Sequence, residues 1–309
     1  MAVHVVIGAG ATGTATARQL ADAGEQVRIV SRRGGGPEHA NVERVAADAL
    51  DVARIAEIAA GAKTIFNCLM PLYNRWPEDF PPLNDALLSA AEQSGANYVL
   101  LGNVYGYGPV DGPFTDDLPM APTTIKGHVR ADMWRAALAA HEAGRVKAAE
   151  VRASDYIGAG AGSGFTLFVA PALLAGEEAV VFGDLDAVHS WTYTGDVART
   201  LIAVAQDEAS WGRGWHVPST ELSARELAGR FAAVAGAPEP RLRELSAIEL
   251  HGAANADEIM RELPELGYLV SRPLTLDATR TREAFGFDAT PIDTALRETA
   301  DALAATAAA

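Results

Sequence analysis

The chain has 309 residues, enough for one large domain or two modest ones and for a core that needs no disulfide or structural metal. Its 25 basic and 40 acidic residues give a net charge of −15, which argues against a counterion-displacing nucleic-acid surface and against a polybasic membrane anchor. A single cysteine, Cys68, precludes an intramolecular disulfide, no Cys/His spacing fits zinc, and no run approaches the ~18 apolar residues of a membrane span. The apolar run 3–11 is interrupted by Gly8 and Gly10 and lacks a basic leader, so it does not read as a signal peptide and a cytoplasmic protein is expected.

The first half of the chain alternates between two periods. Residues 3–7 form an unbroken apolar run of the kind found in strands buried on both faces. A helical pattern follows over 12–23 and stops at Gly24, and 26–30 and 42–46 are β-rich. Residues 51–60 read as a helix with Asp51 as N-cap and Gly61 as its stop. Further strands are predicted at 64–67, 98–101 and 146–151, separated by helices at 85–94 and 125–143. Strands alternating with helices imply right-handed βαβ units, so the predicted fold class is α/β, a Rossmann-type doubly wound parallel sheet.

The second half is less regular. Four glycines between Gly158 and Gly164 read as a flexible loop. Strands are predicted at 179–182 and 188–193, helices at 195–205, 223–235, 279–285 and 292–304, and an alanine-rich tail after Leu303 is expected to fray. The expected organisation is a cofactor-binding Rossmann domain over 1–155, to which a segment at about 184–212 returns, and a smaller mixed substrate-binding region over 156–309.

Gly8-Ala9-Gly10-Ala11-Thr12-Gly13 has the form G-x-G-x-x-G, placed after a predicted strand and at the opening of a predicted helix. In that context the first glycine makes the tight turn, the second admits a pyrophosphate against bare backbone, and the third lets helix and strand pack closely. The amides of Ala11, Thr12 and Gly13 then face the anion at the helix N-terminus. An NAD site usually carries an acidic residue about 20 residues on, at the end of the second strand. Here that point reads Ser31-Arg32-Arg33, a hydroxyl and two guanidiniums suited to a 2′-phosphate, so NADP(H) is the expected cofactor. Asp48, after the third strand, is a candidate for the adenine amine.

These motifs resemble the extended short-chain dehydrogenase/reductase superfamily, of the NAD-dependent epimerase/dehydratase kind. The likeness continues at Asn67-Cys68-Leu69-Met70-Pro71 after the fourth strand, where the resemblance implies backbone of Leu69 and Met70 near the nicotinamide ribose. It includes Val104-Tyr105-Gly106 after the fifth strand, Lys126 at the start of the long helix, 152–158, 191–198, and a softer match over 277–291. Such proteins usually carry Tyr-x-x-x-Lys and a serine after the fifth strand. Here Pro122 stands four residues before Lys126, and the serine region reads Gly102-Asn103. The chain is therefore an atypical member by resemblance, with Lys126 kept as ribose anchor and the usual phenol absent.

Candidates for the missing group must lie near the carboxyl ends of the strands, where open α/β sheets bind ligands. Tyr105 is the first candidate proton donor and acceptor, with Lys126 beside it, and Asn103 is a candidate to orient a carbonyl. Tyr107 is a second phenol. Arg130, one turn after Lys126, is a candidate for an anionic substrate group, and Tyr156 is a candidate to close over the nicotinamide. His128, His189-Ser190-Trp191 and Cys68 read as surface or packing residues. No metal site is expected. The leading expectation is an NADP(H)-dependent oxidoreductase or epimerase/dehydratase-like enzyme acting on a small polar carbonyl or alcohol metabolite, with a homodimer implied by resemblance and no nucleic-acid or membrane partner. Two alternatives stay open: a non-catalytic NADP(H)-binding sensor or regulator, and a non-redox cyclase or isomerase reusing the fold.

Overall fold

A computed structural model describes residues 2–307 of the chain. These divide into two compact units, one built from residues 2–108, 119–153 and 197–216, the other from 109–118, 154–196 and 217–307. No helix among the described residues is long and apolar enough to cross a membrane.

The first unit is a parallel sheet. Its strands are β1 (Val3–Ile7), β2 (Gln26–Ser31), β3 (Val42–Ala46), β4 (Thr64–Asn67), β5 (Asn97–Asn103) and β6 (Ala148–Ala153), joined at the far edge by Gly214–His216. The spatial order is β3-β2-β1-β4-β5-β6 followed by Gly214–His216, every neighbour parallel. The order reverses beside β1, which pairs with β2 on one side (Val5 opposite Arg28) and β4 on the other (Val5 opposite Ile65). At such a reversal the crevice beyond the carboxyl ends of the strands is where doubly wound sheets take ligands. Val5, Val6, Ile29, Ile65, Phe66 and Val99 are fully buried, which accounts for apolar runs without alternation.

The connecting helices are α1 (Ala11–Asp22), α2 (Val52–Ile58), α3 (Trp76–Ser94) and α4 (Ile125–Glu142). Asp51 caps α2, its Oδ1 accepting from the Arg54 amide at 3.0 Å, and Thr124 caps α4 through the Gly127 amide at 3.2 Å. One boundary differs from expectation. α3 starts at Trp76, nine residues before the predicted Asp85, and contains Pro81 and Pro82. Those prolines read as breakers, but Trp76, Phe80, Asn84, Leu87 and Leu88 recur on one buried face. Burying the two large rings outweighs the amides that the prolines remove from the first two turns.

The second unit holds two small sheets. In one, Asp155–Ile157 runs parallel to Val188–Tyr193, which pairs antiparallel with Thr220–Ser223; in the other, Glu178–Val181 runs parallel to Arg241–Glu244. Its core gathers Ile157, Phe165, Trp191, Leu227, Phe231 and Leu296. The glycine stretch expected to be a flexible loop is tied down: the Gly158 amide donates to Thr299 Oγ1 at 2.9 Å, and a π-helical turn, Phe165–Val169, follows it. The C-terminal helix runs Ile292–Ala307, so 304–307 are helical where fraying was expected, and residues 308 and 309 lie outside the described residues.

Candidate active site

The three glycines of the opening loop have separable reasons. Gly8 has φ +104° and donates its amide to the Val30 carbonyl at 2.8 Å; a Cβ there would lie 2.6 Å from the Cys68 carbonyl oxygen. A Cβ on Gly13 would lie 1.9 Å from the Gly8 carbonyl oxygen. Both are required by the packing of β1, α1 and the turn after β4. Gly10 is different: its φ is −77°, and a Cβ there meets nothing within 4 Å. Nothing in the protein requires glycine at this position, whereas a group resting on the loop backbone would. Gly10 is also the N-cap of α1, brings no side chain to the first-turn amides, and is followed by no acidic residue in that turn. Backbone N–H at Ala11, Thr12 and Gly13 thus opens α1 with neither a capping side chain nor a competing carboxylate, a good seat for a diphosphate.

At the end of β2, Ser31 is occupied: its Oγ accepts from the Gly35 amide at 2.8 Å and so closes the 31–35 turn. That turn presents Arg32 and Arg33, both exposed. Arg32 acts at a distance on Asp79, whose carboxyl is held below its ordinary range chiefly by the hydrogen bond from Arg75. Arg33 has no ion-pair partner among the described residues. Asp48 is exposed and spends Oδ1 on the Leu50 amide at 3.0 Å.

The loops after β4 and β5 are neighbours because those strands pair, Asn67 opposite Leu100. Asn67 is buried and structural: it donates to the Tyr98 hydroxyl at 2.8 Å and accepts from the Leu69 amide at 3.1 Å, setting the path of Leu69 and Met70. Cys68 between them is buried, and burial pushes its thiol up to about 12, so it is no nucleophile. Asn103 ends β5 and accepts from the Tyr105 amide at 3.1 Å, which leaves its amide nitrogen as the donor it offers.

Beyond these turns lies an aromatic cluster that the sequence did not announce. Tyr73 packs edge-on against Trp76 with ring centres 5.0 Å apart, Trp76 lies 5.9 Å from the Tyr105 ring, and the Tyr73 and Tyr105 hydroxyls are 3.4 Å apart. Lys126 is fully buried, with its ammonium 4.6 Å from the centre of the Tyr73 ring. Arg130, a candidate for an anionic substrate group, is buried over Trp76 and Phe80 at 4.5 and 4.2 Å and donates to the Leu101 carbonyl at 3.2 Å.

Tyr107 is not available for chemistry in this arrangement. Its hydroxyl lies 2.7 Å from His216 Nε2 and accepts from Arg152 at 2.6 Å, and Arg152 in turn donates to Glu150 at 2.6 Å. All four side chains are buried, and burial pushes the Glu150 carboxyl up against the pull of Arg152. The network also bears on Gly102: a Cβ there would lie 2.1 Å from Glu150 Oε1, so a side chain at 102 would require Glu150 to move.

In the second unit Tyr156 stands half-buried in the short strand Asp155–Ile157, opposite Thr192. His189 is buried with Nδ1 3.0 Å from Asp155 Oδ2, Ser190 Oγ accepts from the Leu276 amide at 2.9 Å, and Trp191 donates to the Leu222 carbonyl at 2.9 Å. These three serve the packing of that unit. No cluster of three or more metal-ligating side chains occurs among the described residues.

The model for the family described as NAD dependent epimerase/dehydratase matches residues 4–216. The chain belongs to that family. No curated protein sequence matches it. Solved structures of similar fold cover nearly the whole chain. The Bordetella bronchiseptica enzyme WbmH, in complex with NAD+, aligns with a TM-score of 0.76 at 18% identity over 98% of this chain and 99% of that one. A UDP-glucuronic acid 4-epimerase from Bacillus cereus, in complex with UDP-glucuronic acid and NAD, aligns with a TM-score of 0.79 at 14% identity over 98% and 99%. A dTDP-glucose 4,6-dehydratase from Bacillus anthracis, in complex with NAD, aligns with a TM-score of 0.79 at 14% identity over 99% and 97%. At these identities the likeness establishes the fold. In this epimerase/dehydratase family member, Pro122 stands four residues before Lys126, and Gly102-Asn103 ends the fifth strand.

Proposed function

We propose that the chain is an NADP(H)-dependent oxidoreductase or epimerase/dehydratase-like enzyme acting on the alcohol or carbonyl carbon of a small polar metabolite. The observation that carries this reading is Gly10, a glycine that the protein's own packing does not require, at the uncapped start of α1. The residues fit a dinucleotide. The amides of Ala11, Thr12 and Gly13 would hold the diphosphate, and Arg32 and Arg33 would hold a 2′-phosphate through charge-assisted hydrogen bonds. Several structural neighbours are named with NAD; the departure at Ser31-Arg32-Arg33 is the reason to assign the phosphorylated form here.

When bound, the nicotinamide supplies hydride transfer. The protein's share is position and protons. Lys126 would hold the ribose hydroxyls, Asn103 would donate its amide nitrogen to the substrate oxygen, and Tyr105 would exchange a proton with that oxygen at its Oη. Sugar nucleotides, which several neighbours bind, are the first substrate class to try.

The test is a titration of NADPH and NADH by calorimetry, followed by turnover on a panel of sugar nucleotides and simple carbonyls. NADPH is expected to bind at least about tenfold more tightly, a difference of ~1.4 kcal/mol, and Arg33→Ala to weaken NADPH alone. Equal affinities would overturn the 2′-phosphate assignment. Silence with both nucleotides would overturn the cofactor, and binding without turnover of any substrate would replace the enzyme by a sensor.

A further inference from the structure

We propose that Tyr73 is the second phenol of the proton-transfer site, relaying a proton to and from Tyr105 and so compensating for the absence of a phenol at position 122. The inference rests on the reading of Tyr105 as the proton-exchanging group. The first unit has four tyrosines, Tyr73, Tyr98, Tyr105 and Tyr107. Tyr98 and Tyr107 are buried and their hydroxyls are held within the fold, by Asn67 and Asn84 in one case and by Arg152 and His216 in the other. Tyr73 and Tyr105 are only half-buried, and their hydroxyls are 3.4 Å apart. The lysine that would favour a phenolate sits over the ring of Tyr73, at 4.6 Å from its centre.

The relay balances. When the substrate is oxidised, the hydride from its carbon would go to the bound nicotinamide and its hydroxyl proton passes to Tyr105 Oη. The proton that Tyr105 carried passes to the phenolate oxygen of Tyr73. Reduction runs the same transfers backwards. Tyr73 acts through Tyr105 and is a positioning residue. The loop after β4 delivers it because β4 and β5 are paired, and Trp76 at the start of α3 fixes its ring. Charged groups on the neighbouring elements include Arg130 of α4, stacked on Trp76, and Arg75 with Asp79, paired at 2.8 Å at the start of α3.

Tyr73→Phe removes the hydroxyl and keeps the ring that carries Lys126 and packs on Trp76. The readout is independent of turnover: tyrosine is labelled at Cζ with carbon-13, and the Tyr105 resonance, assigned by its loss in Tyr105→Phe, is titrated with pH. Removal of the Tyr73 hydroxyl is expected to move the Tyr105 midpoint by about one pH unit or more. In the active protein the same variant should lower kcat at unchanged KM and displace the matching limb of the pH profile. NADPH affinity, measured alongside, should match wild type. An unmoved Tyr105 midpoint in a Tyr73→Phe protein of native stability would overturn the relay. Because the titration is made without cofactor, it tests the relay even if neither nucleotide binds and the cofactor reading fails.

Discussion

A Cβ on Gly13 would stand 1.9 Å from the carbonyl oxygen of Gly8, whereas one on Gly10 would meet nothing within 4 Å. Two glycines of one motif are therefore expected to respond oppositely to alanine. Gly13→Ala should gain helix propensity of about 1 kcal/mol but lose more to the backbone clash, for a net destabilisation of about 1–3 kcal/mol. Gly10→Ala replaces one N-cap lacking a polar side chain by another and should cost at most about 1 kcal/mol. Its nucleotide affinity should nonetheless fall at least about tenfold, ~1.4 kcal/mol. Thermal unfolding and calorimetry of the two variants separate the effects, and a Gly10→Ala protein that binds NADPH normally would remove the main support for the cofactor site.

The buried Glu150–Arg152–Tyr107–His216 network makes a second pair of contrasting expectations. Glu150→Leu strands the Arg152 guanidinium in the core and should cost about 3–5 kcal/mol. Pairing it with Arg152→Met should recover much of that loss, since both charges then leave together. Tyr107→Phe removes one acceptor from Arg152 and should cost about 1–3 kcal/mol. Urea unfolding of the three proteins measures this directly; a double variant no more stable than Glu150→Leu alone would show that Arg152 holds the fold by contacts other than the ion pair.

How much of this was legible beforehand follows from the kind of signal each residue carries. β1, β4 and β5 announce themselves because strands buried on both faces are largely apolar, β2 by its β-branched residues between polar ones, and Gly8, Gly10 and Gly13 by spacing after a strand. Tyr73 carries no such signal. It stands among Pro71, Leu72 and Asn74 without periodicity, 32 residues before the phenol it meets. The contact exists because two paired parallel strands end side by side, so only a reading of the loops after adjacent strands as one surface could have found it. Arg130 and Tyr107 are candidates by position alone, one on the helix face of Lys126 and the other after a strand, and only three dimensions reveal that Trp76 and Phe80, or Arg152 and His216, surround them.

Cys68 is a single thiol whose chemistry is suppressed by its place in the turn after β4. Burial pushes its pKa up to about 12, despite the hydrogen bond with Thr16, so near pH 8 only ~10⁻⁴ of it is thiolate. Labelling by a thiol reagent should therefore be limited by opening of the native state, and its rate should rise in step with urea as the protein unfolds. Fast stoichiometric labelling of the native protein would contradict the burial.

In the second unit, Glu249 gives a pH dependence of definite sign. Its carboxylate accepts from the Ser246 amide at 3.0 Å, from Ser246 Oγ at 2.6 Å and from Arg243 at 2.8 Å, at the start of the helix Ala247–Ala256. The Ser246 hydroxyl, then Arg243 and the Ser246 amide, hold its pKa at about 2, below the ordinary 4.5. A folded-state value below the unfolded one means the stabilisation is fully present above about pH 4.5 and is lost as pH falls through about 2. The group is exposed, so the effect is local to this helix end and is screened by salt. Hydrogen exchange at the first-turn amides of that helix should accelerate, beyond the intrinsic pH trend, between about pH 4.5 and 2, and Glu249→Gln should show no such step. An identical step in Glu249→Gln would assign the transition to another carboxylate. With the capping geometry intact in both proteins above that range, the comparison isolates the charge on Glu249 from the hydrogen bonds that its amide replacement can still accept.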